Sequence, residues 1–393
     1  VLMSLRDEFD EQLSDEERAL CDKFTTGRTI LERYIENPDL AVDMSEEDKD
    51  EYALAERNVS KTVKKMIRLM YKLRRPEILC ITTASLLNAY GSRGGTLTET
   101  ESSESSEPAG PESPDPSHVL IGDEASQIPE PALAAISNCM PFAQQVYIGD
   151  VHQLEPHARC HRDSPAAIYG ARGVMSVICA ARAVPVAPLV RTYRAHPALN
   201  ELPNRIAYNG ALISGTLPQD RQMLTDIMRF PTPSVPFMFV NVEGTSTRAH
   251  NMSYFNDAEL EACSELIHLL IAAAVPAANI CVIAFYKEQY RRAERKFSEL
   301  GIELSTVDAV QGREMEVVIL LTTKTHFPLD SAEFLDDYKR LNVALSRCRH
   351  GQFILGHVPS LVKVPLWSRV ISWAEDLSAV VPTTDLSRYF SDA

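Results

Sequence analysis

The stretch HVLIGDEASQIPE, His118 to Glu130, is an apolar run that stops at two adjacent acids, Asp123 and Glu124. A short apolar run closed by turn-forming residues reads as a buried strand. Two neighbouring carboxylates at its end suit a divalent cation and an oriented water molecule. Outward from this point the same pattern recurs. A helix is expected around Pro131 to Asn138, then a strand in QVYIGD (145–150), and later strands in FMFVNV (237–242), ICVIAF (280–285), EVVILLTT (316–323) and QFILG (352–356). Short apolar strands separated by helix-length segments predict an α/β fold, a parallel sheet covered by helices on both faces. Ligands of such sheets bind beyond the carboxyl ends of the strands, so chemistry is expected just after each strand.

Upstream, residues 1–75 read as helix. LSDEERALCDKF carries an N-cap serine and acids in the first turn, and SEEDKDEYALAERNVSKTVKKMIRLMYKLRR keeps apolar residues three and four apart, which predicts a long antiparallel helical pair. Its end, Lys61 to Arg75, holds seven bases and no acid. A solvated outer face is the reading the pattern favours there, with nucleic-acid contact as the alternative. EILCITTASLLNAY (77–90) predicts a short strand and a helix start. Residues 91–117, rich in Ser, Glu, Pro and Gly, hold too little apolar surface to offset ordering entropy and are expected to be a disordered acidic insertion.

Composition narrows the class. The 393 residues are 45% hydrophobic and 24% charged, ordinary for a globular protein. The net charge of −15 sits mainly in residues 1–60, with 18 acids and 7 bases, and in residues 91–120, with 6 and 1. The near-neutral remainder leaves room for a local basic groove. Eight cysteines without a C-x-x-C pair argue for reduced thiols over disulfides or a zinc ribbon. Cys160-His161 is the sole adjacent pair that invites a metal, and no second pair lies near it. The longest apolar window, Leu266 to Val275, is too short for a bilayer. VLMSLRDEFDEQL lacks the basic start and apolar core of a secretory signal, so a cytoplasmic or nuclear location is expected.

Four further stretches add to the acid pair. QVYIGDVHQLEPHA holds Gly149, Asp150, Gln153 and Pro156 after a strand. LVRTYRAHPALNELPNRIAYNGALISG holds Tyr193, Arg194, His196 and Pro197. STVDAVQGREMEVVILL places Asp308, Gln311, Gly312, Arg313 and Glu314 before a third strand, and KRLNVALSRCRHGQFILG carries Arg340, Asn342, Arg347 and Arg349 before a fourth. In this order the motifs GD-x-x-QL-x-P, YR-x-HP, VDA-x-QGRE and RLNVALSR-x-R resemble superfamily 1 helicases of the nonsense-mediated-decay branch, P-loop NTPases, from about Ile78 to Gly356. Thr192 and Ala195 depart from the glutamine and methionine usual around YR-x-HP, and Gly122 interrupts the apolar run.

The resemblance implies two RecA-like parallel-sheet domains, the first incomplete, with an N-terminal helical stalk. It assigns 1–75 to the stalk, 76–187 to the partial first domain, 188–360 to the second and 361–393 to a tail. It implies ATP and Mg²⁺ as cofactors and single-stranded RNA, or DNA, as partner, with 5′ to 3′ travel. Asp123 would hold Mg²⁺ and Glu124 would orient the attacking water. Gln153 would sense the terminal phosphate, while Arg194 and Arg347 would reach it; a planar, permanent cation suits that position better than lysine. Gln311, Gly312 and Glu314 would couple the strand to the nucleotide, Tyr286 would stack on the base, and Thr82 and Thr83 would touch the strand. Plainer roles are expected for Arg340 and Arg349 as ion-pair partners, His196 as a cap, His152 and His157 as loop surface, and Asp150 and Asp308 as turn formers.

The phosphate cradle is missing. A G-x-x-x-x-G-K-[ST] loop wraps phosphates with backbone amides and a lysine, and this chain contains no Gly-Lys pair. In the resembled family that loop precedes the helical insertion, which implies a position upstream of Val1. Without it, several charged hydrogen bonds of about 1.5 to 3 kcal/mol each are lost, so residues 1–393 alone are expected to hydrolyse ATP negligibly. The leading expectation is part of an ATP-dependent helicase; the alternative is a non-catalytic relative that binds nucleic acid or a protein.

Overall fold

The computed structural model describes residues 2–36, 44–74, 78–90, 119–158, 160, 164–182, 184–332 and 334–390. The expected insertion at 91–117 lies outside the described residues, as does His118. Compactness divides the chain into two units, Val1–Leu120 with Ala134–Val146, and Ile121–Leu133 with Tyr147–Ala393. The boundaries expected at 75, 187 and 360 do not appear in that division.

In the first unit, α1 (Leu5–Phe9) leads into α2 (Asp15–Glu36) and α3 (Glu46–Arg74), the expected helical pair. Ser14 opens α2 with reciprocal bonds: its hydroxyl accepts from the Glu17 amide and its own amide donates to the Glu17 carboxylate. Ser45 and Asp48 repeat the device before α3. Cys21, Phe24, Gly27, Leu31 and Tyr34 form the buried stripe of α2, and Ala55, Thr62, Met66 and Leu69 that of α3. Gly27 lets the pair approach, because a Cβ there would stand 3.1 Å from Val59 and 3.2 Å from the Ala55 carbonyl. Helix α4 (Thr83–Tyr90) starts as expected, but residues 78–82 form no strand.

Strand β1 (Val119–Gly122), helix α5 (Glu130–Cys139) and strand β2 (Gln144–Tyr147) follow, with β1 and β2 paired in a two-stranded sheet. Helices α6 (Pro165–Gly170) and α7 (Val174–Ala181) come next. Val174 of α7 packs with Ala125 and Ile128 in a small core.

The rest of the second unit holds β3 (Arg191–Thr192), α8 (Pro197–Ile206), β4 (Ile213–Ser214), β5 (Phe237–Asn241), the hairpin β6 (Thr247–Arg248) and β7 (Tyr254–Phe255), and α9 (Asp257–Ala272). It continues with β8 (Ile280–Ala284), α10 (Lys287–Phe297), β9 (Glu303–Thr306), β10 (Met315–Leu321), α11 (Tyr338–Leu345), β11 (Cys348–Gly356), α12 (Val358–Leu361), α13 (Pro365–Asp376) and β12 (Val380–Pro382). Six strands form one sheet in the order β12-β5-β11-β10-β8-β9, every neighbouring pair parallel.

Both faces of this sheet are covered, which is why its strands are apolar throughout instead of alternating with polar residues. Successive side chains still point to opposite faces. Phe237, Phe239, Cys281, Ile283, Val318, Leu320 and Ile354 join α8, α11 and α13 in one core. Met238, Val240, Ile280, Val282, Val317, Ile319, Phe353 and Leu355 join α9 and α10 in the other.

The residues expected as a tail, 361–393, carry the last α-helix and the edge strand of the sheet. Helix α13 buries Trp367, Val370, Ile371 and Trp373, and β12 adds the edge strand beside β5. Those residues complete the sheet because β5 would otherwise expose an unpaired edge. No helix among the described residues is long and apolar enough to cross a membrane.

Candidate functional site

The acid pair sits on a turn held by backbone contacts. The Ile148 amide donates to the Gly122 carbonyl at 2.8 Å, and the Ala125 amide donates to the Ile148 carbonyl at 2.8 Å, so the chain beyond β1 lies against the chain beyond β2. Glu124 takes the left-handed conformation, φ 48°, at the head of a 3-10 turn over Ala125–Gln127. Glycine is required on both sides of this turn. A Cβ on Gly149 would come within 2.8 Å of the Ser126 nitrogen, and one on Gly173 within 2.5 Å of the Ser126 oxygen. The Asp123 Oδ1 accepts the Glu124 amide at 2.9 Å, and the Asp123 side chain is exposed.

Onto this turn comes the VDAVQG loop. Gln311 Nε2 donates to Glu124 Oε2 at 2.9 Å. Gly312, at φ +77°, would place a Cβ 3.5 Å from the other Glu124 oxygen.

Arg194 and Arg347 reach the same cluster from different elements. The Arg194 Nε donates to Glu314 Oε2 at 2.9 Å and its Nη1 to the Ser346 carbonyl at 2.8 Å. Arg221 fixes the local backbone by donating to the carbonyls of Tyr193 and Arg194. The Arg194 hydrogen bond holds the Glu314 carboxyl below the usual carboxylate range. Arg347 is 1% exposed. It donates to the carbonyls of Val343 and Arg313, to the Ser346 hydroxyl, and at 3.4 Å to Gln153 Oε1. Burial pushes its guanidinium down to about 10; repulsion by Arg194 adds to this and attraction by Glu124 opposes it. Every one of these hydrogen-bond acceptors is neutral.

The expected rule of chemistry after each strand holds for β1 and β2, but fails in the large sheet. Gln311, Gly312 and Glu314 precede β10, and Arg347 precedes β11, with Met315 and Cys348 in register at that amino end. Tyr286 lies beyond the carboxyl end of β8 instead, buried with its ring against Tyr254 and Phe334. The fold does not bring it to the cluster. Thr82 and Thr83 belong to the other unit, where the Thr82 hydroxyl accepts the Ser85 amide at 3.2 Å, capping α4.

Residues given plainer roles divide. Arg340 pairs with Asp308 and Asp337, Arg349 pairs with Glu316, and His196 caps α8 by accepting the Ala198 amide. His157 is exposed. His152 and Asp150 do more than expected. Asp150 accepts from the His152 amide, from Gln153 Nε2 at 3.0 Å and from the Tyr208 hydroxyl, and the His152 ring packs edge-on against Tyr208. Asn342 Nδ2 donates to that hydroxyl and to the His152 carbonyl, both at 2.9 Å. With Nε2 committed to Asp150, the Gln153 amide oxygen must face Arg347. Tyr208 had no sequence signal, since it lies in the turn after α8 among ordinary residues. Tyr193 had one, its place beside Arg194; its ring is 64% exposed and lies over Gly215, where a Cβ would stand 2.4 Å away.

Known proteins are similar to this chain in sequence. The AAA domain family model covers residues 171–359. An uncharacterized ATP-dependent helicase of Caenorhabditis elegans is 32% identical over 67% of this chain and 17% of its own length. Regulator of nonsense transcripts 1 of the same organism is 30% identical over 65% of this chain and 24% of its own. In sequence the chain is similar to superfamily 1 helicases of the nonsense-mediated-decay branch. A further helicase relative, the 5′-3′ DNA helicase ZGRF1 of Mus musculus, is 32% identical over 65% of this chain and 14% of its own length. The chain thus spans under a quarter of the length of these relatives. Among solved structures, a complex of the arterivirus nonstructural protein 10 helicase with DNA aligns with 72% of this chain and 54% of that one, at 15% identity and a TM-score of 0.34, too low for the fold to rest on it.

Proposed function

We propose that these residues form part of an ATP-dependent helicase that couples nucleotide hydrolysis to movement on single-stranded RNA or DNA. The observation that carries this reading is Arg347, a buried cation whose hydrogen-bond partners are all neutral. A buried guanidinium without a carboxylate bonded to it costs several kcal/mol of desolvation. An anion placed between Arg347 and Arg194 would offset that cost, and the terminal phosphate of ATP is such an anion.

Within this reading each side chain has a task set by its contacts. Glu124, held by Gln311, orients the attacking water and accepts its proton. Arg194 and Arg347 stabilise the charge that develops on the transferred phosphate. Gln153, fixed by Asp150, reports the presence of that phosphate to Arg347. Gln311 and Glu314 tie the same event to the six-stranded sheet, so that loss of phosphate is felt at β10. The exposed ring of Tyr193, beside Arg194, is better placed than Tyr286 to stack on a base. Asp123 fits a magnesium site: it is exposed, one oxygen is uncommitted, and Mg²⁺ is commonly held by one or two carboxylates together with phosphates and water. Bound Mg²⁺ would neutralise phosphate charge.

The test is phosphate release with and without single-stranded RNA or DNA. Residues 1–393 alone should release none above background. A polypeptide in which a Gly-Lys-Thr phosphate loop precedes these residues should release phosphate in a strand-stimulated manner. Glu124→Gln should lower that rate by at least about 100-fold, the scale of general-base catalysis. Strand-stimulated turnover that persists in Glu124→Gln would remove Glu124 from its role, and turnover by residues 1–393 alone would remove the need for the loop.

A further inference from the structure

We propose that the outer face of α3 is a docking surface for the phosphate backbone of a nucleic-acid strand. This rests on the functional reading above and extends it to the helical unit. Helix α3 divides by charge: Glu46, Glu47, Asp48, Asp50, Glu51 and Glu56 lie in its first half, and from Arg57 to Arg74 its charged residues are all basic. At about 100° per residue, Arg57, Lys61, Lys64, Lys65, Arg68 and Lys72 fall within roughly 100° of the helix circumference, along about 22 Å of its axis. The exposed positions between Arg57 and Lys72 are these six cations and Ser60.

Lys72 pairs with Glu17, but Arg57, Lys61, Lys64, Lys65 and Arg68 make no ion pair among the described residues. The fold supplies no reason for them. Like charges three and four apart destabilise a helix by about 0.2–0.5 kcal/mol per pair, and the helix dipole favours cations only in the last turn. All five lie before that turn. A polyanion with regularly spaced charges removes the repulsion and gains the entropy of released counterions.

Other polyanions fit less well. The apolar stripe of α3, with Ala55, Met66 and Leu69, is buried against α2, so the helix offers no wedge to a lipid surface. The exposed face between Arg57 and Lys72 carries no aromatic or aliphatic anchor of the kind a protein interface needs.

The experiment titrates the whole 393-residue chain into a fluorescein-labelled 20-nucleotide oligouridine and reads anisotropy from 50 to 300 mM KCl. The K61E/K64E/R68E variant should weaken binding by at least about 10-fold at 100 mM KCl and reduce the salt slope by about 2, since each neutralised phosphate of a single strand contributes about 0.7. K61Q/K64Q/R68Q, which keeps good helix formers, should show a smaller change of the same sign; circular dichroism establishes that both variants fold. Unchanged affinity and slope in the two variants would overturn the proposal while leaving the helicase reading intact, because that reading is decided by phosphate release. No binding by the wild-type chain at 50 mM KCl would overturn it also. Displacement of the oligonucleotide by poly-glutamate at equal charge concentration would overturn it in favour of an acidic protein partner.

Discussion

The two ends of the six-stranded sheet treat polar groups in opposite ways. At the carboxyl end of β10, Glu259 is 1% exposed and accepts from the Thr323 amide at 2.7 Å, the Thr323 hydroxyl at 3.1 Å and Gln289 Nε2 at 2.8 Å. Gln289 in turn exchanges bonds with the Asn256 backbone, and the Asn256 side chain caps α9. Lys324 beside them donates to Ser331 and lies over the Tyr254 ring. This network closes on itself. At the amino end, Arg347 is equally buried, yet it hydrogen-bonds only neutral acceptors and lies near a second arginine, with the Glu124 carboxylate attracting it without a hydrogen bond. A satisfied network rigidifies a fold, whereas an uncompensated charge is a standing demand for a ligand. One end holds β10 against α9 and α10, and the other, on the function proposed above, receives an anion.

The largest effect that would break this contrast is expected at Glu259. Glu259→Ala leaves three buried donors without a partner, at roughly 1–3 kcal/mol each and less than additively, so a loss of about 4 kcal/mol is expected in urea unfolding. A loss below about 1 kcal/mol would mean the carboxyl-end network is not structural.

The next effect is a pH dependence. Burial pushes the Glu259 carboxyl up to about 8 from its ordinary 4.5, outweighing the donors around it. Between those values the folded chain holds a proton that the unfolded chain has released. Stability therefore falls as pH rises through that window and levels off above it, by roughly 2–3 kcal/mol between pH 5 and pH 7. Urea midpoints measured across this range should show the slope in the wild-type chain and lose it in Glu259→Gln.

The smallest stability effect is expected at Arg194. Its pair with Glu314 is partly exposed, so Arg194→Ala should change stability by at most about 1 kcal/mol. The same substitution should raise the Glu314 carboxyl toward its ordinary value, because the lost hydrogen bond is the chief cause of its lowering. Side-chain carboxyl titration by NMR reads this directly. A large stability loss without a shift at Glu314 would make Arg194 a structural residue and blur the contrast between the two ends.

Much of the site was legible because its residues cluster in short motifs. DEAS, GD-x-x-Q, YR, QGRE and the arginines of RLNVALSRCR each carry charge or amide groups next to a strand, and five separate signals in order are hard to produce by chance. Tyr208 was not legible, since its role depends on Asp150 and Asn342, far away in sequence. The status of Tyr286 was hidden for the same reason. A tyrosine after a strand can face a cleft or a core, and only Tyr254 and Phe334 decide which. Residues 361–393 read as a tail because three-residue strands carry almost no periodic signal.

The sequence by itself determined the helical pair, the parallel strands and the identities of the charged groups, because these follow from periodicity and from local runs of one residue type. Only the tertiary structure decided that Tyr286 is buried away from the cluster, that Arg347 is buried without a carboxylate bonded to it, and that β12 closes the edge beside β5. Burial and pairing are properties of segments that meet across long sequence separations, and no local pattern encodes the partner.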